Sequence, residues 1–342
     1  MLRLVKNPPN PFHSSYCDWL DTPETRTEVF EEKAKSIITE NKSPDIAFSY
    51  SVNPYRGCFH ACAYCYARPS HQYLDFGAGT DFERKIIVKT NAPELLEKEF
   101  MRSSWKGERI VFSGITDCYQ PLEASYHLTR GCLEVCAKFR NPVAIITKSA
   151  IIRKDIDVLT KLNERSAISV SFSIPFFDDE LSMKLEPGAP RSSTRFRAMK
   201  ALAEAGIPVG IGVAPIIPGL SDEQIVKLLQ KAKECGATFA FRTMLRLPAE
   251  VKDVFRSKIE EQIPEKAQKI FGSIRDMRGG NLNNSNFGHR MAGEGERWKA
   301  IEWLFDQTCQ RLGLNDPEKK ALRHKTRANF ERPNQQLRLP GL

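Results

Sequence analysis

The sequence predicts an α/β protein whose strands run parallel. Two observations carry that expectation. Six short apolar runs of strand length occur in order along the chain, four of them with a segment of helical period before the next run. Each strand is followed by a helix or by a loop with room for one, and such alternation means right-handed crossovers between parallel strands.

The first strand is "IAFSYSV" (46–52). "RIVFSG" (109–114) is a short apolar run ending in Gly, a buried strand by length and flanks, and "LTRGCLEVCAKF" (128–139) has helical spacing. "PVAIIT" (142–147) is a further buried strand, followed by a charged helix at "IRKDIDVLTKLNE" (152–164). The strand "AISVSFSI" (167–174) precedes the helix "SSTRFRAMKALAEAG" (192–206), which opens on cap-type serines and stops at Gly206. "PVGIGVAPI" (208–216) is the fifth strand. The helix "SDEQIVKLLQKAKECG" (221–236) follows, with Ser221 as N-cap and Gly236 as its end. "ATFAFRTM" (237–244) is the sixth strand.

The pattern fits an open doubly wound sheet or a barrel or partial barrel, and in either the chemistry collects at the C-terminal strand ends. Residues 1–45 form an N-terminal extension and 46–247 the alternating core. Residues 248–314 are a C-terminal helical extension with a polar glycine insert, "RGGNLNNSNFGHRMAGEGERW", and 315–342 a basic tail expected to be flexible. The insert is placed to cover a barrel mouth and touch a nucleic-acid backbone.

No run approaches about 18 apolar residues, so no membrane span is expected. The N-terminus has no apolar core of secretory length, and the expected compartment is the cytoplasm. The net charge of +9 is uneven: residues 242–342 hold 20 basic and 13 acidic side chains, and 319–342 hold seven and one. Such a balance suggests a polyanionic partner.

Three cysteines, Cys58, Cys62 and Cys65, cluster in "CFHACAYCY" with the spacing C-x3-C-x2-C, directly after the first strand. The other six are scattered. In the cytoplasm such a cluster points to metal or catalysis. A structural zinc site would need a fourth ligand, His60 or His71, and His60 lies at a spacing unlike the usual paired-ligand knuckles. An iron–sulfur cluster fits better: three thiolates leave one iron open, and an open metal position is where a substrate or cofactor binds.

"CFHACAYCY" resembles the signature of the radical S-adenosylmethionine (radical SAM) superfamily. The resemblance implies a partial TIM-type (β/α)6 barrel, a 4Fe–4S cluster on Cys58, Cys62 and Cys65, and S-adenosyl-L-methionine (SAM) chelated at the open iron. It also implies an external one-electron reductant, whose electron leads to cleavage of SAM to methionine and a 5′-deoxyadenosyl radical that takes a hydrogen atom from substrate. The segments "NPYRGCFHACAYCYARPSHQYL", "ITDCYQPLE", "LEPGAPRSSTR", "APIIPGLSD", "LRLPAEVKDVF" and "FGHRMAGEG" resemble the spore photoproduct lyase-related group, over about 48–314.

By this resemblance Tyr64 packs on the SAM adenine, to which "GVAPIIPG" (212–219) adds backbone contacts, and Gly114, Thr116 and Asp117 serve its amino group. Lys148 pairs its carboxylate, with Arg195 close by, and Ser171 and Ser173, on one side of their strand with Ser169, serve the ribose. One departure stands out. Gly114 occupies the place of the cysteine that returns a hydrogen atom in spore photoproduct lyases; Cys118, beyond Asp117, is the candidate substitute donor. Cys132 and Cys136, one helical turn apart, are expected to pack. The terminal "QLRLPGL" resembles the peptide by which bacterial proteins dock on the DNA sliding clamp, through Gln336, Leu337 and Leu339.

The expected function is reductive SAM cleavage that starts radical chemistry on a damaged or modified nucleic-acid base. The alternatives are radical modification of a peptide or small metabolite, and a non-enzymatic, metal-stabilised nucleic-acid-binding module.

Overall fold

The computed structural model describes residues 3–5, 27–316 and 330–333. All six expected strands form, as β4 (Tyr50–Val52), β7 (Ile110–Phe112), β8 (Val143–Thr147), β9 (Ile168–Ser173), β10 (Val209–Ile216) and β11 (Phe239–Met244). They pair in chain order, each parallel to the next. β3 (Ile38–Glu40) closes the β4 edge antiparallel, giving the order β11-β10-β9-β8-β7-β4-β3. Among the described residues the two end strands do not pair, so the sheet is a partial barrel with one antiparallel edge strand.

The register explains the core. Val52, Phe112, Ile145, Val170 and Val209 face one another across five strands and are all buried in one apolar cluster. A row of this kind fixes register, because a one-residue slip would turn it to the other face. Close approach governs the next step. A Cβ at Gly210 or Gly212 would lie 2.4 or 2.6 Å from the rings of Phe239 and Phe241 on β11, so these two glycines admit aromatic neighbours.

The helices between strands are α1 (Leu128–Lys138), α2 (Ile156–Arg165), α3 (Ser192–Glu204) and α4 (Ile225–Glu234). Two expected helix starts are 3-10 turns instead, at Ile151–Asp155 and Asp222–Gln224. Ser221 does not act as N-cap: its hydroxyl accepts a hydrogen bond from the Ile217 N–H at 2.9 Å and stabilises the turn leaving β10.

A second sheet was not legible in the sequence. β1 (Arg3–Val5), β2 (Glu28–Glu32), β6 (Lys85–Lys89) and β5 (Tyr55–Arg56) form it in the order β1-β2-β6-β5. Residues 28–32 and 38–40 therefore contribute strands to both sheets and are integral to the fold. The tail is also partly integrated. Phe330 packs against Phe100 and Phe139, and Arg332 donates to the carbonyls of Phe100, Arg102 and Trp105, so 330–333 is anchored, contrary to a wholly flexible tail. Gln336, Leu337 and Leu339 lie outside the described residues.

The C-terminal extension folds as α5 (Val251–Gln262), α6 (Pro264–Asp276) and α7 (Gly295–Arg311). Helices α5 and α6 bury Val251, Phe255, Ile259, Ile270 and Ile274 in a second apolar cluster that includes Cys62, Ala63 and Tyr64. This cluster clamps the cysteine loop onto the barrel. Among the described residues no helix is long and apolar enough to cross a membrane.

Candidate functional site

The loop 58–66 leaves β5 through Gly57, whose φ of +77° favours glycine and whose surroundings leave no room for a Cβ, the side chain of Ile86 lying 2.9 Å away. Backbone hydrogen bonds tie the loop down: Cys58 N donates to Phe82 O and Ala63 N to Leu185 O, each at 2.9 Å. Gly188 N donates to His60 O, and a Cβ at Gly188 would sit 1.8 Å from Phe59 O. Only glycine lets the "EPG" turn lie on the cysteine loop. Arg68, fully buried, donates twice to Cys62 O, to Ala78 O and Gly79 O, and pairs with Glu83. It fixes the loop's middle and brings a positive charge to it.

All three cysteines are free thiols, Cys58 and Cys62 buried and Cys65 half-buried. Cys65 packs beside Cys62 in one apolar cluster and beside Cys58 in another. Burial pushes the thiols of Cys62 and Cys65 up, and negative charge on neighbouring thiols adds to this, while Lys148 and Arg68 oppose it. Burial would also raise Cys58, but the His60 imidazole beside it outweighs that and the net shift is down.

His60 is the centre of a buried relay. Its Nδ1 lies 3.4 Å from Asp117 Oδ2. Burial opposes its charge, yet Asp117 and Cys58 together raise its pKa to about 9. His60 is thus bound to Asp117, and His71 Nε2 sits 2.8 Å from Lys85 O. Among the described residues no three His, Cys, Asp or Glu side chains converge as a preformed metal site. The chemistry of the loop still fits a cluster held by three thiolates, because each thiol has a cationic side chain beside it: His60 for Cys58, Lys148 for Cys62, and Arg68 with Lys148 for Cys65.

The residues expected around SAM follow the C-terminal ends of β7, β8 and β9. Gly114 has φ +140° and open space around it, with Asn53 Nδ2 at 4.0 Å, and its carbonyl accepts a hydrogen bond from Tyr66. Thr116 Oγ1 donates to Gly57 O at 2.6 Å. Asp117 accepts from Tyr119 N at 2.9 Å and from Thr147 Oγ1 and Lys148 N at 2.7 Å each. Burial raises its pKa, but His60 and these donors bring it down to about 2. Both of its oxygens are thus engaged by the protein, and Asp117 joins the ends of β7 and β8 to the cysteine loop.

Lys148 Nζ donates to Ser173 Oγ at 2.7 Å, lies 3.6 Å from Glu186 Oε1 and sits 5.7 Å over the Tyr64 ring. Tyr64 donates its hydroxyl to Glu186, and Arg195, with no exposed surface, pairs with the same carboxylate and donates to Ser173 O at 3.0 Å. The structure therefore brings Tyr64, Lys148, Ser173 and Arg195 together around Glu186. Ser171 lies buried one pleat back on β9, opposite Gly210.

Glu186 was missed in the sequence. It is fully buried; burial raises its pKa, but Arg195 and Lys148 outweigh this and hold it down. The signal was present in "LEPGAPRSSTR", where Glu186 precedes the Pro-Gly turn and Arg195 follows nine residues later. Cys118, the candidate hydrogen donor, is enclosed in the core. Its side chain is 0% exposed and sits in the main core with Phe112, Tyr119, Cys132 and Cys136, and its hydrogen bond is to Ser113. A thiol enclosed there is not placed to deliver a hydrogen atom to a substrate.

A model of the Radical SAM superfamily matches residues 52–232. An uncharacterised protein of Mycobacterium tuberculosis is 39% identical over 203 residues, 58% of this chain and 60% of that one, so the match spans less than two thirds of the relative. An uncharacterised protein of Methanocaldococcus jannaschii is 31% identical over 72% of this chain and 88% of its own length. A solved structure of spore photoproduct lyase complexed with dinucleoside spore photoproduct superposes with a TM-score of 0.61 over 84% of this chain and 80% of that one. At 17% identity that likeness concerns the fold.

Proposed function

The chain belongs to the radical SAM superfamily, and from this premise we propose that it is an enzyme that binds a 4Fe–4S cluster and SAM and acts on a base in a nucleic acid. Membership in the superfamily carries the cofactor pair. When bound, the pair supplies a one-electron cleavage of SAM that generates a hydrogen-abstracting radical.

Cys58, Cys62 and Cys65 would hold the cluster. The observation that carries the reading is the meeting of this loop with Lys148, Glu186 and Arg195 at the C-terminal strand ends. Lys148 is the cation of that network with some solvent access, 13%, and so is the group available to the SAM carboxylate. Arg195 is enclosed and acts through Glu186 as a positioning residue. Ser171 and Ser173 would serve the ribose, and the open space at Gly114 admits close backbone approach. The Asp117–His60 pair holds the loop end that carries Cys58.

The nucleic-acid substrate rests on the net charge of +9 and on fold likeness to spore photoproduct lyase. The test uses protein reconstituted anaerobically with iron and sulfide, a chemical reductant and SAM. Formation of 5′-deoxyadenosine is expected, and single-stranded oligonucleotides should stimulate it several-fold over short peptides. Stimulation by peptides alone would move the substrate to the other class.

A further inference from the structure

Two arginine–aromatic pairs stand on one rim of the barrel mouth. Tyr66, the residue after Cys65, is 48% exposed, and the Arg246 guanidinium lies 5.3 Å from its ring centroid. Phe287 is 60% exposed, with the Arg290 guanidinium 4.5 Å from its ring. The pairs are contiguous. Met244 N donates to Met291 O at 3.0 Å, and Arg246 Nη1 reaches the Met291 sulfur at 3.8 Å. Arg278 locks the rim by donating to the carbonyls of Leu245, His289, Arg290 and Ala292.

The charges on this rim do not balance. Arg290 is paired with Asp45, and Arg278 is used on backbone carbonyls. Arg246 makes no ion pair among the described residues, and its buried Nε has no hydrogen-bond partner. Arg290 and Arg278 both act on it or are acted on by it as like charges, and the Asp45 carboxylate, already paired with Arg290, is the opposite charge that acts on it. A half-buried guanidinium facing two others is a site for an anion, and its planar fork matches a phosphate. Each of the two exposed rings lies against a guanidinium of this rim, and a rim that alternates arginine with aromatic rings is the arrangement that takes unpaired bases and their phosphates.

We propose that Tyr66, Arg246, Phe287 and Arg290 form a binding rim for single-stranded nucleic acid, with Arg246 on a phosphate and the two exposed rings against bases. This rests on the nucleic-acid reading above and places the strand beside Cys65 and Gly114, to whose carbonyl Tyr66 is bonded. A duplex keeps its bases stacked away from the rings, so the rim discriminates against it.

The test is anisotropy of a labelled single-stranded DNA of about a dozen nucleotides with the full-length, cluster-loaded protein, over a range of salt. Wild type is expected to bind with a steep salt dependence. Arg246→Gln should weaken binding about tenfold and reduce the magnitude of the log–log salt slope by about 0.7, the value for one single-strand phosphate contact. Arg246→Lys should keep the slope and lose several-fold in affinity, and Phe287→Ala should weaken binding by roughly tenfold through lost stacking. The lysine and alanine variants decide the matter if Arg246→Gln melts early. Unchanged affinity and slope in Arg246→Gln, with wild type binding, overturns the rim alone. Equal affinity for duplex overturns its single-strand character. No binding by wild type overturns the rim and the nucleic-acid reading together.

Discussion

Replacing Cys58, Cys62 or Cys65 by alanine is expected to remove most of the protein's iron and to abolish reductive SAM cleavage. Each thiolate is one of three ligands on a single loop, and a cluster held by two has lost a covalent anchor. The loop itself should survive. Its backbone is held by Arg68, by Phe82 O and by the Leu185 and Gly188 contacts, none of which uses a thiol. Cys132→Ala and Cys136→Ala are the controls. Both thiols are fully buried in the main core, so these changes should cost about 1 kcal/mol of stability and leave iron content and SAM cleavage intact. Iron per chain and 5′-deoxyadenosine per chain are the two readings. A trio variant with wild-type values of both would falsify the ligand assignment.

The second large effect falls on Glu186. Its carboxylate has no exposed surface and faces Arg195, equally enclosed, along with Lys148 and the Tyr64 hydroxyl. Alanine there leaves a buried guanidinium unpaired, and breaking a buried pair in this way costs about 3–5 kcal/mol. The pH dependence has a definite sign. Glu186 has its pKa lowered in the folded protein, so its contribution is present above the ordinary glutamate range and is lost as pH falls through the folded value. Urea unfolding of wild type and Glu186→Ala at neutral pH should show the full difference, and the gap should narrow in acid. A gap that is absent, or that widens in acid, contradicts the assigned pairing. Glu186→Gln keeps a partner for Tyr64 and should fall between the two.

The six barrel strands were legible because each is a short apolar run bounded by Gly, Pro, Asn or charge, and buried parallel strands need that composition. The helix ends at Gly206 and Gly236 were legible for a local reason too: both residues have positive φ. The second sheet was not: β5 has only two residues, too short for any periodicity, and β2 pairs with a β6 distant in sequence, Glu28 against Lys85. The cysteines were plain from spacing alone. Glu186 was hidden because its partners Tyr64 and Lys148 are distant in sequence and only the fold brings them together. Asp117 was legible as a polar residue at a strand end, but its partner His60 belongs to a loop that the strand pattern does not position. The docking of Phe330 was invisible for a similar reason: an aromatic in a basic tail carries no sign of the Phe100 and Phe139 rings that receive it.

The central claim is that SAM cleavage at the Cys58–Cys65 loop removes a hydrogen atom from a nucleic acid. The direct measurement is isotope transfer. The reconstituted, reduced protein is turned over with SAM and single-stranded oligonucleotides deuterated throughout their bases and sugars, prepared from DNA and RNA with and without ultraviolet damage, and the 5′-deoxyadenosine formed is analysed by mass spectrometry. Deuterium in the 5′-deoxyadenosine is the predicted result. Abundant 5′-deoxyadenosine that carries no deuterium with any of these strands contradicts it.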